Sequence, residues 1–227
     1  MPGKRNDEAN SLVDRVANRA LATRHQATMD DITKILDCAL AETVRRAPEA
    51  PRVADIVAAA GISSQTFYKY FRSKDEVIMA LQERASAQVV SYLAKVMEKE
   101  EDPLRQVSCW VEGFLRYVAG RSAREVGAVL LQAIRTSPHE LLLSDTVIGQ
   151  ERQLLELLET ALHRFGSEDP QRDAQAIGDT VFGMWRRCLL TEEYPNPADI
   201  AHVSAFCTAG VSAGPAGLPQ RSRDRDS

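Results

Sequence analysis

Residues 63–74, SSQTFYKYFRSK, place two serines, a glutamine, a threonine, two tyrosines and three cations within twelve positions. Those side chains suit recognition of a duplex. Glutamine pairs bidentately with adenine, and serine or threonine donates to or accepts from base edges. Tyrosine and lysine hold phosphates. Drawn as a helix, Phe67 and Phe71 are four apart and, with Ile62, form one face. Ser64, Gln65, Tyr68 and Lys69 form the other. Such a helix would also suit the solvated side of a small helical core. The polar face together with flanking Arg72 and Lys74 points instead to DNA contact, with Tyr68, Lys69 and Lys74 on phosphates.

The elements needed to present that face are legible on either side. From Asp30 to Arg46, Ile32, Ile35, Leu36, Ala39, Leu40 and Thr43 recur at three and four, the stripe of a half-buried helix closed by Pro48 and Pro51. RVADIVAAAG predicts a short second helix with Val53, Ile56, Val57 and Ala60 inward and Gly61 in the turn. Ser63 is suited to cap a third helix reaching about Phe71, and Ser73 with Glu76 forms an S-x-x-E capping box opening a fourth. The expected unit is a helix-turn-helix. Charge agrees locally: between 52 and 74, Arg52, Lys69, Arg72 and Lys74 oppose Asp55 alone, so four minus one leaves plus three, within a chain of net charge −4. A basic face on an acidic protein still acts locally, because screening confines charge to about 8–10 Å.

VADIVAAAGISSQTFYKYFRSKDEVIMALQERA resembles the signature of the TetR family of bacterial transcriptional regulators, over roughly residues 28–85. The resemblance implies an all-α dimer. Its N-terminal three-helix helix-turn-helix domain would bind an operator, and its larger C-terminal helical domain would bind an effector and dimerise. It places Ser64, Gln65 and Thr66 at base and groove contacts and Tyr68, Tyr70 and Lys74 at backbone contacts. Arg52 stands where the family usually has a Thr or Ser cap, and could reach a phosphate; Ala54 replaces a frequent polar residue. The commonest behaviour in the family is repression relieved by ligand.

The corresponding division is 1–27, a basic extension; 28–74, the DNA-binding domain; 75–212, the effector and dimerisation domain; and 213–227, a Gly-, Pro- and Ser-bearing tail of disordered type. In the extension, Arg15, Arg19 and Arg24 accompany Leu12, Val16, Ala20 and Leu21, which are spaced for one apolar face. It is expected either to enter a minor groove or to pack on the body. Pro103 is expected to open a helix with Leu104, Val107, Val111, Phe114 and Val118 in one stripe. SPHE at 137–140 reads as a further capping box, and Gly166 ends a leucine-rich helix. Trp110, Phe114, Tyr117, Leu131, Met184 and Trp185 are candidates to line an apolar or aromatic effector site, although each also suits ordinary core packing. Ile177, Val181, Val203 and Phe206, on two late helices, are the candidate dimer interface.

With 44% hydrophobic and 26% charged residues the composition is that of a soluble globular chain. No apolar run long enough for a membrane span or a secretory signal is seen, so a cytoplasmic protein is expected. Cys38, Cys109, Cys188 and Cys207 are widely spaced, which disfavours a zinc or dithiol site. An enzyme is the weaker alternative. No Glu-x-x-His pair occurs, Asp199 with His202 being the nearest approach, and neither His163 nor Cys109 has a spaced catalytic partner. No cofactor is called for. A helical interaction or ligand-binding protein of the same fold, without DNA binding, is the remaining alternative.

Overall fold

In the computed structural model, residues 12–46, 49, 51–120, 124, 127 and 145–213 are described, and every element among them is helical. They are α1 (Leu12–Arg46), α2 (Val53–Ala60), α3 (Ser64–Tyr70), α4 (Lys74–Met97), α5 (Pro103–Ala119), α6 (Asp145–Phe165), α7 (Pro170–Thr191) and α8 (Pro197–Ala213). The SPHE segment and Leu131 lie outside the described residues.

The first core is small and closed. Ile35, Leu36 and Ala39 of α1 meet Ile56 and Ala60 of α2, Phe67 and Phe71, and Val77 and Leu81 of α4. Gly61 makes the turn between α2 and α3 at φ 62°, a left-handed conformation that glycine adopts without a Cβ penalty. Thr43, inside the α1 stripe, satisfies its hydroxyl on the Ala39 carbonyl at 2.8 Å.

The second core is larger and centred on α5. Val107, Trp110, Val111, Phe114, Leu115 and Val118 are buried from several sides, so α5 is surrounded by α4, α6, α7 and α8. Asp102 caps α5 through its bond with the Leu104 N–H, with Pro103 in the first turn. Its one buried polar side chain, Gln106, donates to the carbonyls of Met97 at 3.2 Å and Glu100 at 2.8 Å, and accepts from Arg164 at 3.1 Å. The carbonyls that the end of α4 would leave unsatisfied are thereby paired.

The two cores share α4. Its first half supplies Val77 and Leu81 to one and its second half supplies Val89, Leu93 and Met97 to the other. A single helix of 24 residues, about 36 Å long, therefore carries the small domain on the large one.

Three expectations change. The helix anticipated from Asp30 begins at Leu12 and runs through position 28 without a break. The extension does not pack on the body: every side chain described between 12 and 27 is exposed, Leu12, Val16 and Leu21 included, because no other described element lies beside it. At the start of α4, Ser73 accepts from the Glu76 N–H, but Glu76 reaches back to the Arg72 N–H, not to that of Ser73.

Candidate nucleic-acid interface

The seven-residue α3 is too short to be stable alone, so its position depends on its caps and its anchors. Ser63 Oγ accepts the Thr66 N–H at 3.0 Å and lies 2.9 Å from Thr66 Oγ1. These two hydroxyls are committed first to the helix start. Phe67 is fully buried, with its ring 5.9 Å from that of Phe71, and this pair seats the inner face. The outer face carries Ser64, Gln65, Tyr68 and Lys69, all exposed. Tyr68 is 57% exposed, and its ring stands edge-on to Phe67 at 5.3 Å, which holds the hydroxyl outward.

At the other end of α3, Lys69 Nζ lies 3.3 Å from the Tyr70 hydroxyl and 4.8 Å over its ring. The Tyr70 hydroxyl in turn donates to Asp31 Oδ2 at 2.9 Å. Tyr70 is half-buried and faces α1, so its hydroxyl serves to fix α3 against α1. Lys74, half-buried in the first turn of α4, and Arg72, exposed in the turn before it, extend the cationic edge. Arg72 belongs with Lys69 on geometry; its charge was visible in the sequence, but its placement in a turn gave no periodic signal.

Arg52 occupies the N-cap of α2 and is exposed, with no side-chain bond to that helix. An arginine has no acceptor to offer a cap. Asp55 supplies the closing bond from the other direction, accepting the Arg52 N–H at 2.8 Å while pairing with Arg46 at 2.7 Å. The Arg52 guanidinium therefore projects from the N-terminal end of α2.

The candidate effector residues divide. Trp110 and Phe114 stack at 5.7 Å, and Trp185 meets Phe114 edge-on at 6.3 Å. Phe182, absent from the sequence-based set, completes the cluster at 5.9 Å from Trp110 and 5.3 Å from Phe114. Its signal was present in the spacing Gly178, Val181, Phe182, Trp185 and Leu189 along α7. The Trp110 indole donates to the Leu154 carbonyl at 3.0 Å. Met184 is half-buried against the same core. Tyr117 faces α4, its ring 5.6 Å from Tyr92 and its hydroxyl 3.5 Å from Gln88 Oε1; burial raises its phenol above the ordinary range.

Of the candidate interface residues, Ile177 and Val181 point into the chain's own core, packed on α6, and so leave that set. Val203 is half-buried, and Phe206 is 67% exposed on α8. Among the described residues no cluster of three or more His, Cys, Asp or Glu is placed to hold a metal ion, and no helix is long and apolar enough to cross a membrane.

Residues 35–81 match the family model of bacterial regulatory proteins of the tetR family, from the buried stripe of α1 through α3 into α4. They form a TetR-family helix-turn-helix domain. The chain has the all-helical fold of TetR-family transcriptional regulators. The fatty acid degradation regulator FadR from Bacillus halodurans is similar at 21% identity and TM-score 0.63, over 78% of this chain and 98% of that one. A putative TetR-family regulator from Syntrophomonas wolfei is similar at 17% identity and TM-score 0.63, over 81% and 97%. FadR from Bacillus subtilis, determined in complex with stearoyl-CoA, is similar at 18% identity and TM-score 0.58, over 80% and 98%. No curated protein sequence matches the chain. In the TetR-family frame, the capped, aromatic-anchored α3 is the second helix of the helix-turn-helix.

Proposed function

We propose that the chain is a ligand-responsive transcriptional repressor that binds a palindromic operator as a homodimer. The DNA-binding domain is residues 28–74 and the effector and dimerisation domain is 75–212. The observation that carries this reading is α3: its inner face is locked by Phe67 and Phe71 while Ser64, Gln65, Tyr68 and Lys69 stand outward together. Ser64 and Gln65 lie in its first turn, the part of a recognition helix that meets base edges. Thr66 and Ser63 follow as groove contacts whose hydroxyls also cap the helix. Tyr68, Lys69, Lys74 and Arg52 neutralise phosphates, and Tyr70 supports them from below.

The dimer rests on α8, whose outer side is apolar as well as its inner one. Ala198, Ala201, Ala205, Phe206 and Ala209 are exposed opposite buried Ile200, Cys207 and Val211. With exposed Leu190 on α7 they offer a surface of small residues that a second copy can approach closely.

Effector binding is assigned to the aromatic cluster of Trp110, Phe114, Phe182 and Trp185 with Met184. An apolar ligand reaching it would displace α5 and α7 relative to α4, and α4 carries Val77 and Leu81 of the DNA-binding core. A ligand favouring one orientation of α4 shifts operator affinity by about 5- to 150-fold, for a coupling of about 1–3 kcal/mol.

The test is selection of bound sequences from a random duplex pool, followed by titration of the recovered site with stearoyl-CoA and with small aromatic compounds. Recovery of a palindrome with half-sites about one DNA turn apart, and its release by one of those compounds, supports the reading. Failure to enrich any sequence would remove the DNA-binding part of it and leave a helical ligand-binding protein.

A further inference from the structure

The N-terminal part of α1, residues 12–27, has no packing function. Among these residues Arg15, Arg19 and Arg24 oppose Asp14 alone, so three minus one leaves plus two. They stand on a helix with no proline or glycine to interrupt it, and every side chain described there is exposed. Its composition, rich in Ala, Leu and Arg, supports such a helix without a partner.

Where this helix leaves the domain is fixed by hydrogen bonds. Lys69 contacts the Tyr70 hydroxyl, and Tyr70 donates to Asp31 of α1. The extension thus departs from the phosphate-facing end of α3. Arg24 is seven residues before Asp31, two helical turns, so it lies on the same side of α1 about 10 Å farther out. Arg19 and Arg15 follow at about 18 and 24 Å, stacked four residues apart on an adjacent side. Around Arg24 the surface consists of Ala17, Ala20, Thr23 and Ala27, small side chains that allow close approach.

We propose that residues 12–27 are a second DNA-contacting element: a rigid helical arm that lies along the duplex outside the segment read by α3 and binds phosphates through Arg24, Arg19 and Arg15. The charge is complementary to DNA, and the arm is continuous with the edge formed by Lys69 and Tyr70. It rests on the proposal that α3 binds DNA, and adds to it a longer footprint without added base specificity.

The experiment compares the full chain with the triple variant Arg15→Gln, Arg19→Gln, Arg24→Gln on two duplexes. One is trimmed to the selected palindrome and the other carries about one further turn, roughly 10 base pairs, on each side. On the long duplex the wild type should show a salt slope steeper than the triple variant by about 2 to 3, at about 0.9 for each phosphate that the variant no longer neutralises. The Arg24→Gln single variant should account for about 1. On the trimmed duplex the two proteins should coincide. Equal slopes on both duplexes would overturn the arm. So would an unchanged DNA slope with a weakened dimer in sedimentation, which would make the extension a contact between copies. If the wild type binds neither duplex, the role of α3 fails with it; if it binds both equally to the variant, only the arm fails. All three substitutions are at exposed positions, so a matching circular dichroism spectrum is expected.

Discussion

Substitution of Gly113 by alanine tests the α4–α5 contact through which the two cores communicate. Gly113 lies inside α5, where alanine in place of glycine contributes about 1 kcal/mol of helix stability. Against this, a Cβ at Gly113 would stand 2.9 Å from Leu93 Cδ2, with Val96 and Tyr92 at 3.5 and 3.6 Å. Leu93 is fully buried, so its methyl group has no solvent to move into. Overpacking of this kind costs about 1–3 kcal/mol, and the net expectation is a destabilisation of about 1 kcal/mol. Gly149 in α6 is the control, since a Cβ there meets nothing within 4 Å. Gly149→Ala should raise stability by about 1 kcal/mol. In thermal unfolding at fixed protein concentration, about 2–4 °C per kcal/mol, the two variants should move Tm in opposite directions. Because α4 also carries the DNA-binding domain, Gly113→Ala should change operator affinity, and Gly149→Ala should not. A rise in Tm for Gly113→Ala equal to that for Gly149→Ala would refute the close approach of α4 and α5.

Other outcomes follow from single groups. Gln106→Leu removes the amide that pairs with the Met97 and Glu100 carbonyls and should cost about 1–3 kcal/mol for each group left unsatisfied, measurable as a lower urea midpoint. Burial raises the Cys207 thiol, and raises Cys188 likewise against the opposing charge of Arg187. The folded chain then retains protons that the unfolded chain releases. Stability from these thiols is fully present below the unfolded thiol pKa, about 8.5, and is lost as pH rises through the higher folded values. Urea midpoints between about pH 7.5 and 10 check this, with Cys207→Ala giving a flatter decline. Ser73→Ala, at the exposed cap of α4, should cost about 1 kcal/mol in the same assay, without altering the salt slope of DNA binding.

The DNA-binding domain was readable in detail because its determinants act over three or four residues. Ser63 and Ser73 satisfy N–H groups three positions on, Gly61 supplies one left-handed turn, and Phe67 with Phe71 repeats at four. Relations between helices were less legible. Apolar spacing marked Ile177 and Val181 as buried without saying whether the cover was another helix of the chain or a second copy; α6 covers them. The α8 surface escaped periodic reading because alanines occupy its outer side, so the helix is apolar in every direction. Tyr70 was read as a backbone contact by resemblance, whereas its hydroxyl is bound to Asp31, thirty-nine residues away, a pairing that no local spacing shows. For the extension, composition indicated a helix and charge indicated a partner, but only the Tyr70–Asp31 bond shows where it departs.

The central claim is that the outer face of α3 reads base sequence. The most direct measurement is the affinity of Gln65→Ala and Lys69→Ala for the selected operator and for each single base-pair change within it. If α3 is the reading helix, Gln65→Ala loses discrimination at one position of each half-site, by about 1–3 kcal/mol, and leaves the others intact. Lys69→Ala should weaken all sites alike and reduce the salt slope by about 1. Unchanged discrimination at every position in Gln65→Ala, with folding intact, would contradict the assignment of α3.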